Sequence, residues 1–167
     1  VVSPHVLHLR RGYVYTLAGK RCFVFGGARS VDRKGRTRGR SWWPEEIPSA
    51  EEYRRGLDSL EASEWSVDWI LTHTAPNHIL QALDLHKYLH GDPVSAYLDE
   101  IFKEVSYQKW FCGHLHRNSR FAKDRIHVLR ENIVNGDTEE TVSVERDRPP
   151  LRERIRAITR LRPLEGD

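Results

Sequence analysis

Short apolar runs separated by polar loops make up the pattern along this chain. Three β-rich runs come first, at residues 6–9, 13–17 and 21–25, and short turns between them predict an antiparallel meander. A long polar loop follows over residues 28–48. Pro44 and the restriction that it places on the preceding residue keep the Trp-Trp-Pro string of this loop out of a helix.

Helices and buried strands alternate in the middle of the chain. Ser49 followed by Glu52 is typical of a capped helix start, and Asp92 before Pro93 predicts a second one. The apolar run at residues 65–71 predicts a strand buried on both faces. The remaining expected elements are a short helix capped by Asn77, a strand at 107–112, a hairpin of 120–121 with 125–129, a turn at 133–136 and a strand at 141–144.

This order of elements predicts a layered α/β fold, in which ligands bind at the carboxyl ends of the buried strands. The 167 residues are enough for one domain with a core of its own, which we place at residues 1–146. Residues 147–167 form a basic tail rich in proline and arginine, with the spacing of one amphipathic helix.

The composition bears on whether the protein enters a membrane and on its cellular location. Hydrophobic residues make up 38% of the chain and charged residues 31%, and no apolar run reaches the roughly 18 residues that a membrane helix needs. We therefore expect no membrane partner. Cys22 and Cys112 both lie in strand-like apolar runs, which favours buried, reduced thiols and a cytoplasmic location.

The positive charge is concentrated in two segments, although the net charge is only +3. Arginines crowd the loop at residues 29–40 and the tail at residues 146–162. Solvated surface is the favoured explanation of both, and an electropositive rim that attracts phosphate is the alternative for the loop. In the loop, Arg29, Asp32, Arg36 and Arg38 are the candidates for such a rim, and Trp42 and Trp43 either pack the loop down or stack on a ligand.

Three histidines stand where two of the expected buried strands end. His73 follows the strand at 65–71, and His114 and His116 follow the strand at 107–112 after Gly113. Adjacent strands that each stop at a histidine can bring neutral nitrogen ligands together at one sheet edge, and divalent metals bind through such groups. The pattern therefore predicts metal ligation by these side chains.

These motifs resemble those of the calcineurin-like metallophosphoesterases, in particular bacterial and phage members. Residues 113–116 (Gly-His-Leu-His) look like the last motif of the family, and residues 72–76 (Thr-His-Thr-Ala-Pro) look like the motif before it. The strings at residues 25–32 and 41–49, which contain Gly-Gly-Ala-Arg-Ser and Trp-Trp-Pro-Glu-Glu, resemble the same members. The similarity extends from about Val6 to about Val134.

The resemblance implies a pair of mixed sheets packed face to face with helices outside, of which this chain supplies the second half. It also implies a two-metal site whose bridging hydroxide hydrolyses phosphomonoesters or phosphodiesters. In that site His73 and His114 would ligate one metal and His116 the other. Manganese is the expected ion, with iron, zinc and magnesium as alternatives, and the expected partner is a phosphorylated substrate.

The chain departs from the family in its carboxylates. The Asp-x-His, Gly-Asp and Asn-His-Glu motifs, which precede the Thr-His motif in the family, are absent from the residues before His73. None of Asp32, Asp84, Asp92 and Asp99 is assigned in their place. The chain therefore looks like the C-terminal portion of a phosphoesterase domain with an incomplete metal site and no catalytic group of its own, and we expect little activity from it alone.

Two other functions remain open. The chain could be a non-catalytic module that keeps part of a phosphoesterase fold and binds a protein or nucleic acid through its arginine-rich segments. It could also hold one structural zinc through His73, His114 and His116, with Cys112 as a fourth ligand, although a buried apolar role for Cys112 is favoured.

Overall fold

A six-stranded mixed sheet organises the first of two units into which the chain divides, residues 1–132 and 133–167. The computed structural model describes residues 6–30, 32–89 and 91–142. The strands of the large sheet are β1 Tyr13–Leu17, β2 Lys20–Phe25, β3 Ser66–Thr72, β4 Ser106–Cys112, β5 Ser119–Phe121 and β6 Ile126–Val128. Their order is β1-β2-β3-β4-β6-β5, with parallel pairing from β2 to β6 and antiparallel pairing at both edges. The α/β class expected from the pattern is confirmed.

The helices lie in the connections from β2 to β3 and from β3 to β4, since parallel strands need crossover connections. They are α1 Ala50–Glu61, α2 Asn77–Ala82, α3 His86–Leu89 and α4 Pro93–Glu104. At the start of α1 the Ser49 hydroxyl accepts the amide of Glu52, and the Glu52 carboxylate accepts the amide of Ser49, so the predicted cap is confirmed. The carboxylate of Asp92 caps α4 in the same way through the amide of Val94.

The core lies between these helices and one face of the sheet. Strand residues alternate between the two faces, and the residues on the helix-covered face are completely buried. They pack against Leu60 of α1, Leu80 of α2 and Leu98 of α4. The largest of these strand residues are Phe23, Phe25, Ile70, Trp110, Ile126 and Val128.

The opposite face of the sheet is also apolar, and we call it the second face. One row of paired positions crosses it: Val24 in β2, Leu71 in β3, Phe111 in β4 and His127 in β6. Trp69 extends the row, with its ring 5.7 Å from that of Phe111. None of these residues belongs to the buried cluster formed with the described helices, and the Trp69, Leu71 and Phe111 side chains are only half-buried.

The second unit contains one small hairpin in its described part. Strand β7, Ile133–Val134, pairs antiparallel with β8, Thr141–Val142. The Asn135 side chain accepts the amides of Asp137 and Thr138, which closes the connection. The expectation of a turn at residues 133–136 was therefore wrong at its first two positions. The end of the expected last strand, residues 143 and 144, and the tail at 147–167 lie outside the described residues.

Two other expectations about elements need correction. Residues 6–9 do not form a strand: only Val6 makes a single bridge, and Val6 and Leu7 are 52% and 67% exposed, so no burial stabilises an extended segment there. The short helix begins at Asn77 as its first residue, with Pro76 in the capping position. Cys22 and Cys112 are free and buried, as expected. In the part of the chain that the structure describes, the helices lack the length and apolar composition needed to cross a bilayer.

Candidate metal and phosphate site

His73 is held where three strands converge. It directly follows β3; its amide donates to the carbonyl of Phe25 at the end of β2, and its carbonyl accepts the amide of Gly113 after β4. The residues on either side are locked as well, since the Thr72 hydroxyl donates to the Thr74 carbonyl at 2.6 Å. The indole of Trp110 in turn donates to that hydroxyl at 2.8 Å. His73 therefore sits at the carboxyl edge of the sheet, as predicted.

His114 occupies a strained turn. Its φ is +62°, and the Leu115 amide donates to the Gly113 carbonyl at 2.7 Å across it, which is the hydrogen bond of a γ-turn of the rare positive-φ kind. His116 also has a positive φ, +52°, while Leu115 between them is buried. Non-glycine residues in this region cost about 1–3 kcal/mol each and cluster at functional sites. The buried Leu115 anchors the turn between the two histidines.

The rings of His73 and His114 lie side by side. Their centroids are 4.8 Å apart with an angle of 56° between the planes. Desolvation by the surrounding protein lowers the pKa of both imidazoles, against the opposing charges of Glu46 and Asp92. Both rings are thus neutral at neutral pH, which is the form that binds a metal.

The donor set fits a divalent metal only in part. His116 lines the same cavity as His73 and His114, so the structure brings all three predicted ligands to one place. Within the described residues, however, no group of three His, Cys, Asp or Glu side chains has the arrangement of a metal site. The pair of neutral nitrogens suits a divalent ion, but carboxylate ligands would have to complete the coordination.

An open cavity of about 700 Å³ lies beside the histidines. Asp32 and Arg36 from the arginine-rich loop line it, as proposed for a substrate rim, whereas Arg29 and Arg38 do not. Apolar side chains from both sides of the sheet edge and one further arginine complete the wall. The residues that line the cavity are Gly27, Ala28, Ser30, Asp32, Arg36, Glu46, His73, Leu85, His114, Leu115, His116, Leu129 and Arg130.

Glu46 is a cavity residue that the sequence did not single out. It ends the short 3₁₀ turn Pro44–Glu46, and its carboxylate accepts the Ser30 hydroxyl and the Trp43 amide. The loop approaches Gly27 so closely that a Cβ there would lie 2.6 Å from the Glu46 carbonyl oxygen. Gly27, with φ +118°, is therefore needed for Glu46 to reach the cavity. In the sequence, the two acidic residues after Trp-Trp-Pro, Glu45 and Glu46, were the signal that could have identified this cavity residue.

Asp92 is a second polar residue whose place only the structure shows. It is 1% exposed, and its carboxylate accepts the amides of Arg29 and Val94 and the hydroxyl of Ser95. Ser95 in turn lies 3.4 Å from the hydroxyl of Thr74, next to His73. This buried network ties the loop after β2, the start of α4 and the His73 turn together.

Four strings after His73 share letters with the family motifs that were absent before it. Asp84-Leu85-His86 matches Asp-x-His, and Gly-Asp occurs at residues 91–92, 136–137 and 166–167, of which the last two belong to the second unit. Asp84 is exposed and pairs with Lys87 at 2.8 Å, and Asp92 caps α4, so neither carboxylate reaches the histidine pair as a ligand. Leaving both unassigned agrees with their positions.

The two loop tryptophans differ in their surroundings. Trp42 is half-buried, and the Arg33 guanidinium lies 3.9 Å from its ring centroid. Trp43 is 48% exposed. Packing of the loop through Trp42 agrees with the favoured interpretation, whereas Trp43 has little part in it. Cys112 is buried in the core, where its thiol donates to the His127 carbonyl at 3.7 Å, and burial raises the pKa of that thiol to about 12. Its position agrees with the favoured buried apolar role.

Comparison of the chain with protein-family models, with curated proteins and with solved structures found no match. The interpretation of the site therefore rests on its own geometry and chemistry.

The pKa directions predict how the site responds to pH. Because the folded protein lowers the pKa of His73 and His114 below the usual 6.5, the unfolded chain binds more protons just below that pH. The contribution of the two neutral histidines to the free energy of unfolding is therefore fully present above pH 6.5. It is lost as the pH decreases from 6.5 through the pKa values of the two histidines in the folded protein. Denaturant titrations across pH 5–8 should show this slope, and it should flatten in His73→Gln/His114→Gln. An equal slope in both proteins would contradict the assignment.

Proposed function

We propose that this chain carries the histidine half of a metal-dependent phosphoesterase site. The observation that carries the proposal is the pair of neutral imidazoles, 4.8 Å apart, at the carboxyl ends of two adjacent parallel strands and beside a cavity lined by Arg36 and Arg130. Divalent metal and phosphate are the ligands that these two kinds of side chain bind together. The reaction is hydrolysis of a phosphate ester, and a bound metal would supply the Lewis acid for it.

The histidines would hold the metal and the loops would bind the substrate. His73 and His114 are the ligands of one ion, and His116, on the same cavity, is the ligand proposed for a second. Manganese is the ion that we propose, with iron, zinc or magnesium as alternatives. Since no group of three His, Cys, Asp or Glu side chains among the described residues has the arrangement of a metal site, we propose that residues outside them supply the remaining ligands.

The second face of the sheet supports the finer fold proposal. A calcineurin-like domain has two sheets packed face to face, and here the second face carries three half-buried apolar side chains, Trp69, Leu71 and Phe111. Sheets pack through rows of alternating inward-facing residues. A second sheet on this face would complete the sandwich and bring its own residues to the same edge as His73.

Manganese-dependent hydrolysis is the test of this function. We expect weak or no turnover of p-nitrophenyl phosphate by the chain alone. We expect manganese-dependent turnover when the chain is fused behind a segment that carries the Asp-x-His, Gly-Asp and Asn-His-Glu motifs. In the active protein His73→Ala should abolish turnover, and His86→Ala, which removes an exposed histidine on α3, should leave it unchanged. Absence of metal-dependent turnover in every form would refute the proposal.

A non-catalytic binding module is the second candidate function, and the second face favours it. A half-buried aromatic surface and a loop with exposed arginines suit a macromolecular partner as well as they suit an incomplete enzyme. Salt-sensitive binding to nucleic acid that survives His73→Ala would select this function, because the histidines have no role in it.

A further inference from the structure

Two arginines line the cavity, and the structure gives them different surroundings. Arg36 makes its contacts within its own loop. Its Nε lies 2.7 Å from the Asp32 carboxylate, and its Nη1 donates to the Ser41 carbonyl at 2.9 Å. A guanidinium neutralised by a neighbouring carboxylate attracts an anionic ligand less strongly. Arg36 is therefore the weaker of the two candidates for binding a phosphate group.

Arg130 is held at the cavity beside the histidines. Its Nη1 donates to the His116 carbonyl at 3.2 Å, which uses one of the five donors of the guanidinium. Its Nε lies 3.6 Å from the carboxylate of Glu131, and both side chains are more than half exposed. Solvent screens such a pair strongly, so Arg130 keeps most of its capacity to bind an anion.

The backbone around Arg130 is fixed by Asn118. The Asn118 side-chain oxygen accepts the amides of Arg130 at 2.8 Å, Glu131 at 3.3 Å and Asn132 at 3.4 Å. The Leu129 amide donates to the carbonyl of Cys112, directly before the histidine turn. The arginine is thus set in position relative to His114 and His116 before any ligand binds, which lowers the entropy lost on binding.

We propose that Arg130 is the residue that recognises the phosphoryl group, and that the site prefers phosphomonoesters to phosphodiesters. This inference rests on the proposed function and names its substrate class. A monoester dianion has three terminal oxygens, so two can accept the planar guanidinium while the third faces His73 and His114. A diester has only two terminal oxygens and one negative charge, and it cannot satisfy both sides of the cavity in this way.

The test is phosphate binding without metal, because it does not depend on turnover. Inorganic phosphate is titrated by calorimetry at pH 8 with a chelator present, when phosphate is a dianion. We expect Arg130→Gln to weaken binding about tenfold to 100-fold, the effect of losing a charge-assisted bidentate contact, and Arg130→Lys to weaken it less. Arg54→Gln, which removes an exposed arginine on α1 outside the cavity, should leave binding unchanged.

The monoester preference is tested with phenyl phosphate and methyl phenyl phosphate. We expect the native chain to bind the monoester at least about tenfold more tightly, and Arg130→Gln to lose that difference. Equal binding of the two esters would overturn the substrate class, and phosphate binding within twofold of native in Arg130→Gln would overturn the role of Arg130. If Arg130→Gln loses phosphate binding but no form of the protein shows metal-dependent turnover, the phosphate-binding role of Arg130 is supported. The same result refutes only the phosphoesterase proposal.

Discussion

Replacing His114 with glycine should remove metal binding while giving a more stable protein than the alanine variant at the same position. Manganese affinity is expected to fall by at least about 100-fold, since loss of even an outer-shell partner of a metal ligand costs 10–100-fold. The glycine variant should exceed the alanine variant in free energy of unfolding by about 1 kcal/mol. Calorimetric manganese titration and urea unfolding measure the two effects.

The glycine variant is expected to lose metal affinity and yet to be more stable than the alanine variant because of the turn that holds His114. Its φ of +62° is unfavourable for any residue with a Cβ and favourable for glycine, so glycine relieves strain that alanine keeps. The imidazole is lost in both variants, so both lose metal binding. The result would show that the chain keeps a strained backbone at this position in order to place a histidine there.

His73 provides the matched control. Its φ is not positive, unlike that of His114. The order of stability should therefore reverse there, with His73→Ala more stable than His73→Gly by roughly 0.5–1 kcal/mol, while metal binding is lost in both. If glycine were equally favoured at both positions, strain at His114 would not be the cause.

Replacing Trp110 with alanine is expected to cost about 3–5 kcal/mol of stability. The indole is fully buried at the centre of the helix-covered core, and its ring centroid lies 5.5 Å from that of Tyr107 and 6.4 Å from that of Phe102. The loss of about 3–5 kcal/mol is a large part of the total stability of a typical domain, so partial unfolding of the alanine variant is expected. Denaturant unfolding monitored by circular dichroism measures the loss.

Trp110→Phe separates packing from hydrogen bonding. Phenylalanine keeps most of the volume but leaves the Thr72 hydroxyl without the indole donor, at a cost of about 1–2 kcal/mol. Because Thr72 braces the turn around His73, manganese affinity should also fall in this folded variant. Trp43→Ala removes a tryptophan that is 48% exposed, and it should change stability by about 0.5 kcal/mol or less. A comparable loss at both tryptophans would show that burial is not the cause.

The elements that local chemistry specifies were predictable from sequence. The capping pairs at Ser49 and Asp92 determined where two helices begin, because the hydrogen bonds that they make are local in sequence. The strands of the core were visible as apolar runs, but the expectation that the strand at 65–71 is buried on both faces was wrong, since Trp69 and Leu71 are only half-buried. The expectations about elements also failed at residues 6–9 and at Ile133–Val134, where strand formation depends on a pairing partner rather than on the alternation of side chains.

The candidate site was predictable only where motif residues follow strands. His73, His114 and His116 were found because each follows a predicted strand end, and adjacent parallel strands bring their ends together. Glu46, Asp92 and Arg130 were not found as site residues. Glu46 and Arg130 line the cavity, whereas Asp92 holds the loop after β2 through the Arg29 amide. These contacts join distant segments, as the bond from Arg130 to the His116 carbonyl does, and no local pattern records them.

Sequence alone determined the α/β class, the main helix starts and three histidines at two strand ends, because periodicity, capping and strand endings are local properties of the chain. Tertiary structure alone decided the 4.8 Å spacing of the His73 and His114 rings, the strained turn at His114 and the different surroundings of Arg36 and Arg130. Those features depend on which distant atoms the folded chain places next to each side chain. Such contacts set desolvation, backbone strain and the charge left to bind a ligand.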